Sequence, residues 1–119
     1  MVKKALVIDD QRVTVIVIEE VLKNNGYEVI TTTDSSLAQH LVENKHPDIV
    51  ILDILMPNVD GIELLKIIRK NHPNLPIITI SSDPQYLRMS ERLGATASFE
   101  KPILHDDFLA LVNRVQDNQ

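Results

Sequence analysis

The chain has 119 residues, 44% hydrophobic and 24% charged, with no cysteine and no tryptophan; that length supports one core rather than two, and the composition is globular rather than disordered. A net charge of −5 and only 3% aromatic residues set nucleic acid aside as a direct partner, because the charge repels phosphate and few rings are available for stacking. Without cysteine there is no disulfide framework, thiolate metal site or Cys nucleophile, which fits a reducing cytoplasm, and the N-terminal apolar run is too short for a signal or a membrane insertion.

Five strand-like runs alternate with five helix-like runs. KALVID, from Lys4, reads as a buried strand, followed by a helix over Gln11 to Asn25 closed by Gly26. TVIVI within that helix is rich in β-branched residues, but the segment's length, its Glu and Lys residues and the glycine stop favour helix. YEVITTT is the second strand, SLAQHLVENK the second helix and DIVILD the third strand. The third helix begins at Asp60, which stands in capping-box spacing with Glu63, and IELLKIIRKN supplies its apolar stripe. PIITIS is the fourth strand. PQYLRMSERLG is the fourth helix, with Pro84 in its first turn and Gly94 beyond its end. ASFEK is the fifth strand and DDFLALVNRV the last helix.

Strands that are apolar on both faces and separated by helices imply a parallel sheet covered on both sides, a doubly wound α/β domain over residues 1–119. Ligands of such sheets bind beyond the carboxyl ends of the strands. There the sequence sets Asp9 and Asp10 after strand one, Asp53 after strand three, Ser81 and Ser82 after strand four, and Lys101 with Pro102 after strand five. Three converging carboxylates repel one another unless a cation joins them. Mg²⁺ suits such a set, since it prefers oxygen ligands and is held by one or two carboxylates plus a phosphate. A phosphoryl group on Asp53 could be shared with Lys101, with the Ser81 hydroxyl and the Ser82 N–H beside it.

IDD, ILDILMPNVDG, ITISS and EKP, in this order and spacing, make the chain from Lys4 to about Val115 resemble the receiver domain of two-component response regulators. The resemblance implies a flavodoxin-like five-stranded sheet of order 2-1-3-4-5 with five helices. It implies Asp53 as phosphoacceptor, Asp9, Asp10, Asp53 and the Leu55 carbonyl as Mg²⁺ ligands, Ser81 as switch hydroxyl and Lys101 as phosphoryl partner, with a cis Lys101–Pro102 bond. The implied partners are a sensor histidine kinase or phosphotransfer protein and a downstream protein target. The domain would catalyse its own phosphorylation and dephosphorylation, with binding through helix four, strand five and helix five as its output. About four residues follow the last helix, so the expectation is a receiver without an effector, either stand-alone or excised from a longer protein.

Simpler roles suffice elsewhere: Asp60 caps helix three, Ser82 or Asp83 caps helix four, and His40, His46, His72 and His105 are surface or loop residues. The family often carries an aromatic three residues before the lysine. Here that position is Ser98, and Phe99 alternates to the other face as core. The response is therefore expected as backbone movement over 82–88 rather than a ring flip. A non-phosphorylated pseudo-receiver acting as an interaction module is the alternative, against which the full set of acids, hydroxyl and lysine argues. A haloacid dehalogenase-type phosphatase would need an Asp where Leu55 stands.

Overall fold

The computed structural model describes residues 2–56 and 59–119. Strands β1 (Lys4–Ile8), β2 (Glu28–Thr32), β3 (Ile49–Asp53), β6 (Ile77–Ser81) and β7 (Ala97–Glu100) form one parallel sheet of order β2-β1-β3-β6-β7. Counted along the sheet's own strands this is the order 2-1-3-4-5, in the flavodoxin-like arrangement. A ribbon of β4 (Leu55–Met56) and β5 (Val59–Asp60), antiparallel to each other, is an addition to the five expected strands. Pro57 and Asn58 of the quoted motif lie outside the described residues.

Alternation along β1, β3 and β6 divides the core in two. Ala5, Val7, Ile49, Ile51, Ile78 and Ile80 face α1 (Arg12–Lys23) and α5 (His105–Asp117). Leu6, Ile8, Val50, Leu52 and Ile77 face α2 (Ala38–Lys45), α3 (Gly61–Asn71) and α4 (Pro84–Arg92). All five residues of β3 are buried, as a central strand covered on both faces requires. TVIVI is helical: Val15 and Ile18 enter the core while Val13 and Ile16 are exposed. Phe99 packs with the α1/α5 layer, edge-to-face on Phe108 at 5.3 Å between ring centroids, as its alternation predicts.

Several boundaries differ from the sequence reading. Helix α1 ends at Lys23 with Asn24 as its cap, and Gly26 takes its positive φ of 90° two residues later, in the turn into β2. The second helix begins with a 3₁₀ turn over Ser35–Leu37, because the Asp34 carboxylate captures the Ser36 N–H and tightens the first turn. Helix α2 ends on His46 in the left-handed region at φ 50°, where a glycine would ordinarily stand. Asp60 caps α3 through the N–H groups of Ile62 and Glu63, but Glu63 turns to Lys66 instead of closing the box. Asp83 caps α4 through Gln85 N–H, with Pro84 at the start. The Lys101–Pro102 peptide is cis.

Gly61 begins α3 directly against the backbone of Ile54, the residue after Asp53, and a Cβ there would overlap Ile54 Cα and its carbonyl. Ala is normally favoured over Gly within helices by up to about 1 kcal/mol. Gly61→Ala should instead destabilise the fold by roughly 1–3 kcal/mol, the usual cost of overpacking. Urea unfolding measures this, and a variant as stable as the parent would contradict the close approach.

Candidate functional site

The parallel sheet delivers the tips of β1, β3, β6 and β7 to one rim, and the ladder extends just past the strands to fix them. Strand β1 ends at Ile8, yet Asp9 N–H still donates to Thr32 O. Ile54 N–H donates to Ile80 O, and Lys101 N–H to Ser81 O at 2.8 Å. The side chains of Asp9, Asp53, Ser81 and Lys101 therefore hang from backbone that the sheet already holds.

Asp9, Asp10 and Asp53 come together, with one carboxylate oxygen of each lying within 4.8 Å of the others. Asp9 and Asp53 are 0% and 1% exposed, while Asp10 is exposed. Two buried carboxylates this close need cationic compensation. Lys101 provides it: its Nζ stands 2.9 Å from Asp9 Oδ2 and 3.4 Å from Asp53 Oδ2. The shorter contact is an ion pair without hydrogen-bond geometry, so Asp9 Oδ2 remains a buried oxygen with no hydrogen-bond donor. Asp9 Oδ1 accepts from the Gln11 N–H at 2.8 Å, and Asp53 Oδ1 from the Leu55 N–H at 3.0 Å.

One lysine does not neutralise this cluster. Burial, reinforced by repulsion from Asp9, pushes the Asp53 carboxyl up to about 7, against the opposing pull of the Leu55 N–H and Lys101. A donorless buried oxygen, close hard carboxylates and residual negative charge suit a small divalent cation, so the residues fit Mg²⁺. A cavity of about 420 Å³ opens over Asp53, lined also by Gln11, Leu55, Ser82 and Lys101.

Ser81 is 1% exposed and lies one residue beyond Ile80, the register partner of Asp53. Its Oγ accepts from the Asp83 N–H at 3.0 Å, which ties the side chain to the start of α4. Ser82 lines the cavity. Leu55 reaches it too, with its N–H committed to Asp53. His40, His46 and His105 are exposed, His72 is half-buried, and the acidic cluster includes none of them. Gln11, whose Oε1 accepts from Lys101 at 2.9 Å, is a site residue missing from the sequence reading. Its position directly after the acidic pair was the available signal.

A family described as "Response regulator receiver domain" matches residues 5–113. The chain is 35% identical over 104 residues to the alkaline phosphatase synthesis transcriptional regulatory protein PhoP of Bacillus subtilis (strain 168), covering 86% of this chain and 43% of that protein. It is 31% identical over 116 residues to sporulation initiation phosphotransferase F of the same organism, covering 96% and 94% of the two chains. It also resembles the crystal structure of a CheY-like response regulator receiver domain protein from Methanospirillum hungatei JF-1, with a TM-score of 0.92 at 25% identity, covering 99% of this chain and 96% of that one.

The raised Asp53 carboxyl has a consequence for stability. Its folded value lies above that of an unfolded aspartate at about 4, so the native state binds more protons between the two values. Metal-free stability must then fall as pH rises from about 4 to about 7. Asp53→Asn removes this dependence and should be more stable than the parent above pH 7, on the order of 1–3 kcal/mol, with the gap shrinking toward about pH 4. Urea unfolding in chelator across this range checks it; a gap that widens on acidification would refute the assignment.

Proposed function

The chain belongs to the response regulator receiver domain family of two-component systems, and from that premise we propose that Asp53 accepts a phosphoryl group from the phosphohistidine of a sensor kinase or phosphotransfer protein. The observation that carries this reading is the buried Asp53 carboxylate at the cavity floor, flanked by Asp9 and by the Lys101 ammonium. An Asp53 oxygen attacks phosphorus, an O–P bond forms as the N–P bond breaks, and the departing imidazole takes a proton from solvent. Leu55 N–H holds the other oxygen and so orients the attacking one. Lys101, beside Asp53, follows the new charge onto a phosphoryl oxygen.

Receiver domains bind Mg²⁺ at an acidic pocket, and here Asp9, Asp10, Asp53 and the Leu55 carbonyl would hold it. When bound, Mg²⁺ supplies positive charge that offsets the carboxylates and the phosphoryl oxygens. The receiver unit spans residues 1–119 and works in the cytoplasm, where phosphohistidine donors operate. No helix among the described residues is long and apolar enough to cross a membrane.

The output is a change in the surface of α4, β7 and α5. Ser81 reaches toward the new phosphoryl oxygens and gives up the Asp83 N–H, which frees the start of α4. The second half of α4 is tied down: Ser90 Oγ and Thr79 Oγ1 lie 2.6 Å apart, Ser98 donates to Glu91, and Arg69 Nε donates to Gly94 O at 2.8 Å. Movement is thereby confined to 82–88. Ser98 meets Glu91 on this face, so no aromatic ring takes part at that position.

Three measurements test these roles. Incubation with acetyl phosphate and Mg²⁺ should add one phosphoryl mass to the parent and none to Asp53→Asn; a persisting mass shift would place the acceptor elsewhere. Asp10→Ala should weaken Mg²⁺ binding about tenfold or more by loss of an anionic oxygen, and an unchanged titration would remove Asp10 from the metal site. Ser81→Ala should still accept the phosphoryl group, whereas amide shifts over 82–88 on adding beryllofluoride and Mg²⁺ should shrink relative to the parent. A parent in which that segment stays still would refute the switch.

A further inference from the structure

Gln11 occupies the N-cap of α1 but makes no side-chain cap for the helix. Short Ser, Asp and Asn side chains serve there because they reach the first free N–H groups, and glutamine is poorly suited. Its amide is committed elsewhere. Oε1 accepts from Lys101 Nζ at 2.9 Å, across 90 positions of sequence, and from Thr14 Oγ1 at 3.4 Å. The backbone N–H of the same residue donates to Asp9 Oδ1 at 2.8 Å. One residue thus orients an acidic side chain with its backbone and the lysine with its side chain.

The Lys101 ammonium has three protons and stands among three oxygens. Two are at 2.9 Å, Gln11 Oε1 and Asp9 Oδ2, while Asp53 Oδ2 is at 3.4 Å. A neutral amide oxygen attracts an ammonium less strongly than a carboxylate does, yet the Gln11 amide stands as close to Lys101 as Asp9 does and closer than Asp53. The first turn of α1, with Thr14 bracing the amide, keeps it there.

We propose that Gln11 is a positioning residue that stations the Lys101 ammonium on the Asp9 side of the cavity, leaving Asp53 Oδ2 loosely paired and open to attack phosphorus. The inference rests on the phosphoacceptor reading of Asp53. A carboxylate locked in a tight ion pair has part of its charge neutralised and one oxygen covered, which slows attack. A neutral oxygen also releases an ammonium more readily than a carboxylate. Lys101 can therefore pass to the phosphoryl oxygens as they arrive without first breaking a strong pair with the nucleophile.

Gln11→Met keeps the side-chain length and removes the acceptor, while Gln11→Glu keeps an acceptor at the same reach. In a crystal structure of Gln11→Met, Lys101 Nζ should close on Asp53 Oδ2 to about 2.8 Å. With acetyl phosphate at saturating Mg²⁺, its maximal phosphorylation rate should fall about 3- to 10-fold at unchanged half-saturation by the donor, the pattern of a misplaced group rather than lost binding. Gln11→Glu should recover Lys101's station but only part of the rate, because a carboxylate releases the ammonium less readily, whereas a defect in the start of α1 would not return Lys101 to its place. A parent that phosphorylates, with Gln11→Met equally fast or Lys101 unmoved, overturns the role of Gln11 alone. A parent that takes up no phosphoryl group overturns the reading of Asp53 and this role with it.

Discussion

Two carboxylates buried side by side at the end of a parallel sheet, Asp9 and Asp53, with one ammonium between them, set the terms for the rest of this molecule. Such a pair is costly in isolation, and removing Lys101 would leave both acids without their cation. The compensation is deliberately incomplete: a raised Asp53 carboxyl and a donorless Asp9 oxygen remain. Residual negative charge beside a water-accessible cavity is what suits these oxygens to a divalent cation.

The scaffold accommodates that tension through its backbone. Asp9, Ile54 and Lys101 all continue the sheet's hydrogen bonds beyond the strands proper, so the charged side chains leave a frame that does not yield to their repulsion. Gly61 lets α3 start directly against the backbone of Ile54, the residue after Asp53. Farther away, the Arg69 guanidinium donates to the carbonyls of His72, Pro73, Leu75 and Gly94, joining the ends of α3 and α4 to the loops between them. The second half of α4 is fastened to β6 through Ser90 and Thr79, while its start is joined to the tip of β6 by the Asp83 N–H donating to Ser81 Oγ.

Much of this was legible from the chain because its signals are local. Buried parallel strands announce themselves as continuous apolar runs, and in a parallel sheet every strand end faces the same rim, so Asp9, Asp10, Asp53, Ser81 and Lys101 could be grouped before any coordinates were known. Pro84, Asp60 and Asp83 marked helix starts through short-range chemistry. The alternation that placed Phe99 in the core, on the face opposite Ser98, follows from strand geometry alone.

What the tertiary structure alone decided are contacts between segments whose pairing no local pattern encodes. Gly61 looks like an ordinary helix-start glycine until Ile54 is seen against it. Lys101 could be assigned to the acidic rim from sequence, but not its 2.9 Å approach to Gln11, because Gln11 and Lys101 are 90 residues apart and meet only when β1 and β7 are built into one sheet. Periodicity and charge specify which face or end a residue occupies; the distance between two side chains at that end is set by packing of the whole domain.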